Sequence, residues 1–130
     1  MNARKPDDLS ALPEFRYFYS TPRYEETVAF YRRKMGLDTW DDWDRNIEDR
    51  GTLFLSPNGV GIIEVVYGAQ SGPAGGLYIE MEDVDAWFEE LTGRGVPIDQ
   101  PLTDTHYGHR QFTVVDPSGL TIGFFAQVER

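Results

Sequence analysis

Hydrophobic and polar positions along this chain spell the same series of elements twice. Residues 14–21 alternate in a way that predicts a strand. Tyr24, Val28, Tyr31 and Met35 then recur at helical spacing, with Thr21 and Pro22 placed to open the helix and Gly36 to close it. Residues 39–43 read as a short strand, and Asp44, Arg45 and Asn46 as an exposed connection. Residues 52–56 and 61–66 form strands joined by a hairpin turn at Pro57-Asn58-Gly59. A second strand–helix–strands series follows. Residues 77–82 are a strand, and Asp83 caps a helix carrying Val84, Phe88 and Leu91 on one face. Gly93, Gly95 and Pro97 stop that helix. Further strands fall at 98–102, 111–115 and 120–126, the last two joined by the turn Asp116-Pro117-Ser118-Gly119. This reading gives a tail at 1–13 and one domain at 14–128. The domain divides into a first module at 14–67, a Gly- and Ser-containing linker at 68–75, and a second module at 76–127.

Strand parity assigns the faces, because alternate residues of a strand share a side. Tyr17, Tyr19, Ile63, Val65, Leu77, Ile79, Met81, Ile122 and Phe124 form an almost wholly apolar set that belongs beneath the two helices. The opposite set mixes charge, rings and glycine: Arg16, Phe18, Glu64, Gly76, Tyr78, Glu80, Gly123 and Phe125. Such a surface suits either solvent or the wall of a ligand cleft.

Composition narrows the choice. A chain of 130 residues can bury a core of its own. It contains no cysteine, which excludes disulfides and thiolate zinc sites and fits the cytoplasm. No apolar run reaches membrane-spanning length, so no membrane partner is expected. The net charge of −10 repels nucleic acid and attracts cations. Aromatic residues make up 14% of the chain, a high share whose natural homes are the core and a ligand cleft. No nucleophile elbow, phosphate-cradling loop or zinc spacing is present. His106 and His109, the only histidines, fall in an extended stretch where they point to opposite faces; they are read as exposed side chains rather than metal ligands.

These features together resemble the vicinal-oxygen-chelate superfamily of glyoxalases, bleomycin-resistance proteins and extradiol dioxygenases. The resemblance is carried by Val28-Ala29-Phe30-Tyr31 with Met35-Gly36-Leu37, by Ile62-Ile63-Glu64, and by Glu80-Met81-Glu82-Asp83-Val84-Asp85-Ala86. Gly108-His109-Arg110-Gln111-Phe112 leading to Asp116-Pro117-Ser118-Gly119 completes it. It covers residues 14–127. It implies an α+β fold of two βαβββ modules, forming a curved, mixed, mostly antiparallel sheet around a cleft, and a homodimer.

Metal-using members of that superfamily draw ligands from the first and last strands of each module, positions that fall here on Arg16, Glu64, Gly76 and Gly123. Only Glu64 is a ligand type. Arginine keeps its proton and has no lone pair to give, and glycine has no side chain. One carboxylate falls short of the three protein ligands that a catalytic divalent ion usually takes. The expectation is therefore a site with no metal and no cofactor, in which Arg16 pairs with Glu64. The cleft is expected to be walled by Arg16, Phe18, Trp40, Phe54, Glu64, Tyr78, Glu80, Tyr107 and Phe125, with Trp43 near its rim. Gly76 and Gly123 either widen it or let strands approach. The leading expectation is sequestration of a cationic or aromatic small molecule, as in the bleomycin-resistance branch. The alternative is a superfamily enzyme, a lyase, isomerase or dioxygenase, with an atypical metal site or a carboxylate general base; no catalytic residue is assigned.

Overall fold

In the computed structural model, residues 15–71 and 76–128 are described; the expected tail at 1–13 and part of the 68–75 linker lie outside them. The first module comprises β1 (Arg16–Thr21), α1 (Tyr24–Ala29) continued by a π-helical turn at Phe30–Lys34, β2 (Thr39–Asn46), β3 (Asp49–Leu55) and β4 (Ile62–Tyr67). The second comprises β5 (Gly76–Glu80), α2 (Val84–Gly93), β6 (Gln100–Asp104), β7 (His109–Val115) and β8 (Thr121–Gln127). Each module folds into its own four-stranded sheet, in the orders β1-β4-β3-β2 and β5-β8-β7-β6. The opening strand runs parallel to the last, and the remaining pairs are antiparallel. The predicted α+β fold of two βαβββ modules is the one observed.

Local chemistry accounts for the elements and for small departures from expectation. Asp83 caps α2 as predicted, its Oδ1 accepting from the Ala86 N–H at 3.0 Å. Thr21 does not cap α1. Its Oγ1 accepts from the Arg23 N–H at 3.1 Å, so Pro22 and Arg23 form a turn and the helix begins at Tyr24. The helix widens at its end, where Met35 N–H reaches the Phe30 carbonyl, and Gly36 at φ 70° turns the chain out. The stretch around Asp44-Arg45-Asn46 is strand rather than connection, because β2 and β3 pair as far as Asn46 and Asp49.

One apolar core serves both modules. Tyr31, Met35, Phe54 and Val65 from the first join Trp87, Leu91, Phe112, Ile122 and Phe124 from the second in a single buried cluster. The apolar parity set lies within it or against it, as the alternation required.

At the junction sits a buried carboxylate. Asp116, 3% exposed in its turn, accepts from the Tyr31 hydroxyl at 2.7 Å and from the Tyr19 hydroxyl, both through Oδ2. Its Oδ1 accepts from the Ser118 N–H at 2.9 Å, the Ser118 hydroxyl and the Leu120 N–H at 3.0 Å. The first module's strand and helix are thereby tied to the second module's last turn. Burial first, and then the Asp116 charge, push the Tyr19 phenol well above its ordinary value of 10.0. Tyr31 is raised too, by burial first and then by its neighbours Tyr19 and Asp116.

Asp116→Ala strands several buried donors and is expected to cost about 3–4 kcal/mol in urea unfolding; Tyr19→Phe and Tyr31→Phe should cost about 1–2 kcal/mol each. A phenol whose folded pKa is raised keeps its stabilisation below the unfolded pKa and loses it as pH climbs past that value. Urea midpoints should accordingly fall above roughly pH 10, and the fall should be shallower in Tyr19→Phe. Equal pH slopes in the two proteins would refute the assignment.

Candidate functional site

The helix-free face of the first sheet carries Arg16 and Phe18 on β1, Ile62 and Glu64 on β4, and Leu53 and Gly51 on β3, placed side by side by register. Arg16 Nη1 lies 2.9 Å from Glu64 Oε1, the contact expected from sequence. Glu64 is 9% exposed, whereas the Arg16 side chain keeps 37% of its surface in solvent. The pair is therefore half-screened and weaker than a fully desolvated one. Phe18, in register with Glu64, stands 59% exposed beside it.

The second sheet answers with a ring where the first has an ion pair. Tyr78 on β5 lies flat over Gly123 of β8, its register partner; a Cβ on Gly123 would overlap the ring. The same ring reaches over Gly76, where an added Cβ would come within 3.1 Å of it. The glycines neither widen the cleft nor serve strand approach; they are the seat of one aromatic side chain. The first module repeats the device. Trp43 lies over Gly51, and its indole N–H, donated to Asp49 Oδ1 at 2.9 Å, anchors the ring. That bond, followed by Arg45, holds the Asp49 carboxyl below its usual range.

Beyond Tyr78 the helix-free face continues as a stack. Phe125 carries the His109 ring at 4.4 Å and 16°, and Tyr107 meets His109 edge-on at 5.2 Å. His109 is thus half-buried in the site rather than exposed, because β7 begins at His109 and pairs it with Gln127 on the Phe125 side. Between the facing edges of the two modules opens a slot of about 300 Å3. Tyr17, Ile62, Leu77 and Ile79 line it, and Tyr78, Glu80 and Phe125 also contribute. Asn58 Nδ2 spans its end to the Glu80 carbonyl at 2.8 Å. Glu80 itself makes no ion pair among the described residues.

Of the nine expected wall residues, Tyr78, Glu80 and Phe125 line the slot; Arg16, Phe18 and Glu64 lie on the helix-free face of the first sheet, Tyr107 lies in the stack beyond Phe125, and two lie elsewhere. Phe54 is fully buried on the opposite face, in register with Ile63 and 5.5 Å from the Tyr31 ring beneath α1. Its side was set by the hairpin register, which the sequence leaves open. Trp40 sits half-buried at the bulge of β2 and does not line the slot. Sequence reasoning assigned no site role to His109 and did not foresee the Gly51 seat of Trp43. An alternating glycine opposite a large ring was the available signal for the latter. A further cavity of about 350 Å3, on the helix side of the first sheet, holds two ion pairs, Arg50 with Glu25 at 2.8 Å and Arg32 with Asp42 at 3.8 Å, and is also lined by Arg33 and Asp44.

The residues at the four superfamily ligand positions do not fit a divalent cation. A guanidinium and two glycines offer no donor atom, and no cluster of three or more His, Cys, Asp or Glu side chains suited to a metal occurs among the described residues.

A family model for the Glyoxalase/Bleomycin resistance protein/Dioxygenase superfamily matches residues 15–124, and the chain belongs to that superfamily. Solved structures with the same fold include TioX from Micromonospora sp. ML1, at 22% identity and a TM-score of 0.73, covering 89% of this chain and 99% of that one. A glyoxalase-related enzyme from Clostridium phytofermentans aligns at 19% identity and a TM-score of 0.71, covering 90% and 96%. A superfamily member from Sphaerobacter thermophilus DSM 20745 aligns at 19% and 0.70, covering 92% and 100%. No curated protein matches the chain. At these identities the neighbours establish the fold and leave the chemistry to the site.

The half-exposed ion pair sets a modest stability scale. A double-mutant cycle on Arg16→Met and Glu64→Gln should give a coupling of about 0.5–1 kcal/mol, shrinking in high salt. A coupling several-fold larger, or none, would contradict the partial burial of Arg16.

Proposed function

We propose that this protein binds a planar, cationic or aromatic small molecule without a metal and holds it rather than converting it, in the manner of the bleomycin-resistance branch of its superfamily. One observation carries the reading: at the positions where the superfamily places metal ligands stand the Arg16–Glu64 pair and the Tyr78 ring seated over Gly76 and Gly123. Lewis-acid chemistry has no donor set there, while stacking surface is plentiful. The half-exposed Tyr78 ring and Phe125 line a slot of a size that suits a small organic ligand, in a chain of net charge −10. The alternative of Glu64 as general base is disfavoured because its Oε1 is engaged by Arg16. The reading extends to a homodimer working in the cytoplasm; among the described residues no helix is long and apolar enough to cross a membrane.

Elemental analysis of purified protein is expected to find no stoichiometric divalent metal, and dialysis against EDTA to leave the Tm unchanged. A planar cationic compound at a hundredfold over its Kd should add about 2.7 kcal/mol of stability, and mass spectrometry should recover it unaltered. Recovery of a converted product, or loss of binding on chelation, would overturn the reading.

A further inference from the structure

We infer that Tyr78 and Glu80 form a cation-selective stacking subsite, and that Gly76 and Gly123 exist to hold its ring in place. The inference rests on the proposed binding function and specifies the chemistry of the ligand: a flat, protonated aza-arene or amidinium. Tyr78 is 52% exposed, yet its ring is not free to wander. One side of it is laid against the backbone of β8 at Gly123 and reaches Gly76 of its own strand, and about half of the residue's surface remains exposed for a ligand. A ring held against the backbone presents its face without losing side-chain freedom on binding, which is the entropic advantage of a preorganised platform.

Glu80 supplies the charge. It lies two residues along β5, on the same face, roughly 7 Å from Tyr78 along the strand. Its register partner is Phe125, the ring that also carries His109. Tyr78, Phe125 and Glu80 therefore converge on the inter-module slot, and Glu80, with no ion pair among the described residues, gives the subsite a negative end. A ring face and a carboxylate together attract a planar cation and disfavour a planar anion of the same shape. The arrangement also explains why glycine occupies both positions: any side chain at 123 occupies the volume the ring now fills.

The test uses proflavine, a planar cation whose fluorescence reports binding, with anthracene-9-carboxylate as its anionic counterpart. Wild-type protein should bind proflavine at least about tenfold more tightly than the anion. Tyr78→Ala and Glu80→Gln should each weaken proflavine binding about tenfold, while Asp44→Asn, which makes the same change of charge on exposed β2, should alter it less than about twofold. Gly123→Ala is the decisive variant. It should lose as much affinity as Tyr78→Ala, and the double variant should lose no more than either alone. Gly93→Ala, at a glycine with open space around it, is the fold-neutral control. Full affinity in Gly123→Ala, additive losses in the double variant, equal binding of cation and anion, or no binding of proflavine by the wild type would each overturn the subsite. Binding that persists but ignores Tyr78, Glu80 and Gly123 removes the subsite and leaves the metal-free binding function standing. Proflavine binding that EDTA abolishes removes the function itself.

Discussion

A single buried carboxylate ties the two modules together across the core they share. Asp116 closes its own turn through Oδ1 and, through Oδ2, accepts the hydroxyls of Tyr19 and Tyr31 from the other module. Carboxylate oxygens accept hydrogen bonds, and a ring of donors offsets the cost of burying Asp116 to 3% exposure. The arrangement links the end of the second module to the strand and helix that open the first, within the apolar core that the two modules share.

The helix-free faces follow a second constraint: how a strand surface can carry large rings without losing definition. Twice the answer is a ring laid on a glycine, Trp43 on Gly51 and Tyr78 on Gly123. Gly123, and less closely Gly76, leave the space that the Tyr78 ring fills. On the first sheet the corresponding space holds a guanidinium–carboxylate pair. The charged side chains on these faces include the Arg16–Glu64 pair and Glu80, which makes no ion pair among the described residues.

Much of the architecture was legible in the residues. Period-two alternation named the buried face of β1, β4, β5 and β8, helical spacing placed Tyr24, Val28, Tyr31 and Met35 inward, and Asp83 marked the start of α2. Face assignment put Arg16 and Glu64 on the same outward set, and the resemblance implied that their strands are neighbours, as β1 and β4 are. Phe54 was misplaced because a hairpin's register decides the face, and Pro57-Asn58-Gly59 permits more than one. His109 was misjudged because its partner, Phe125, is remote in sequence and is delivered only by the pairing of β7 with β8.

The sequence alone determined the repeat and the side of each strand that meets the core, because those depend on residue type and local period; that Arg16, Gly76 and Gly123 stand at metal-ligand positions is what the resemblance implies. Only the tertiary structure decided that Asp116 clasps two tyrosines at separations of 97 and 85 residues, and that the two glycines serve a tyrosine ring. Both are contacts between groups whose approach is set by sheet register and module docking, and neither leaves a mark in any short stretch of chain.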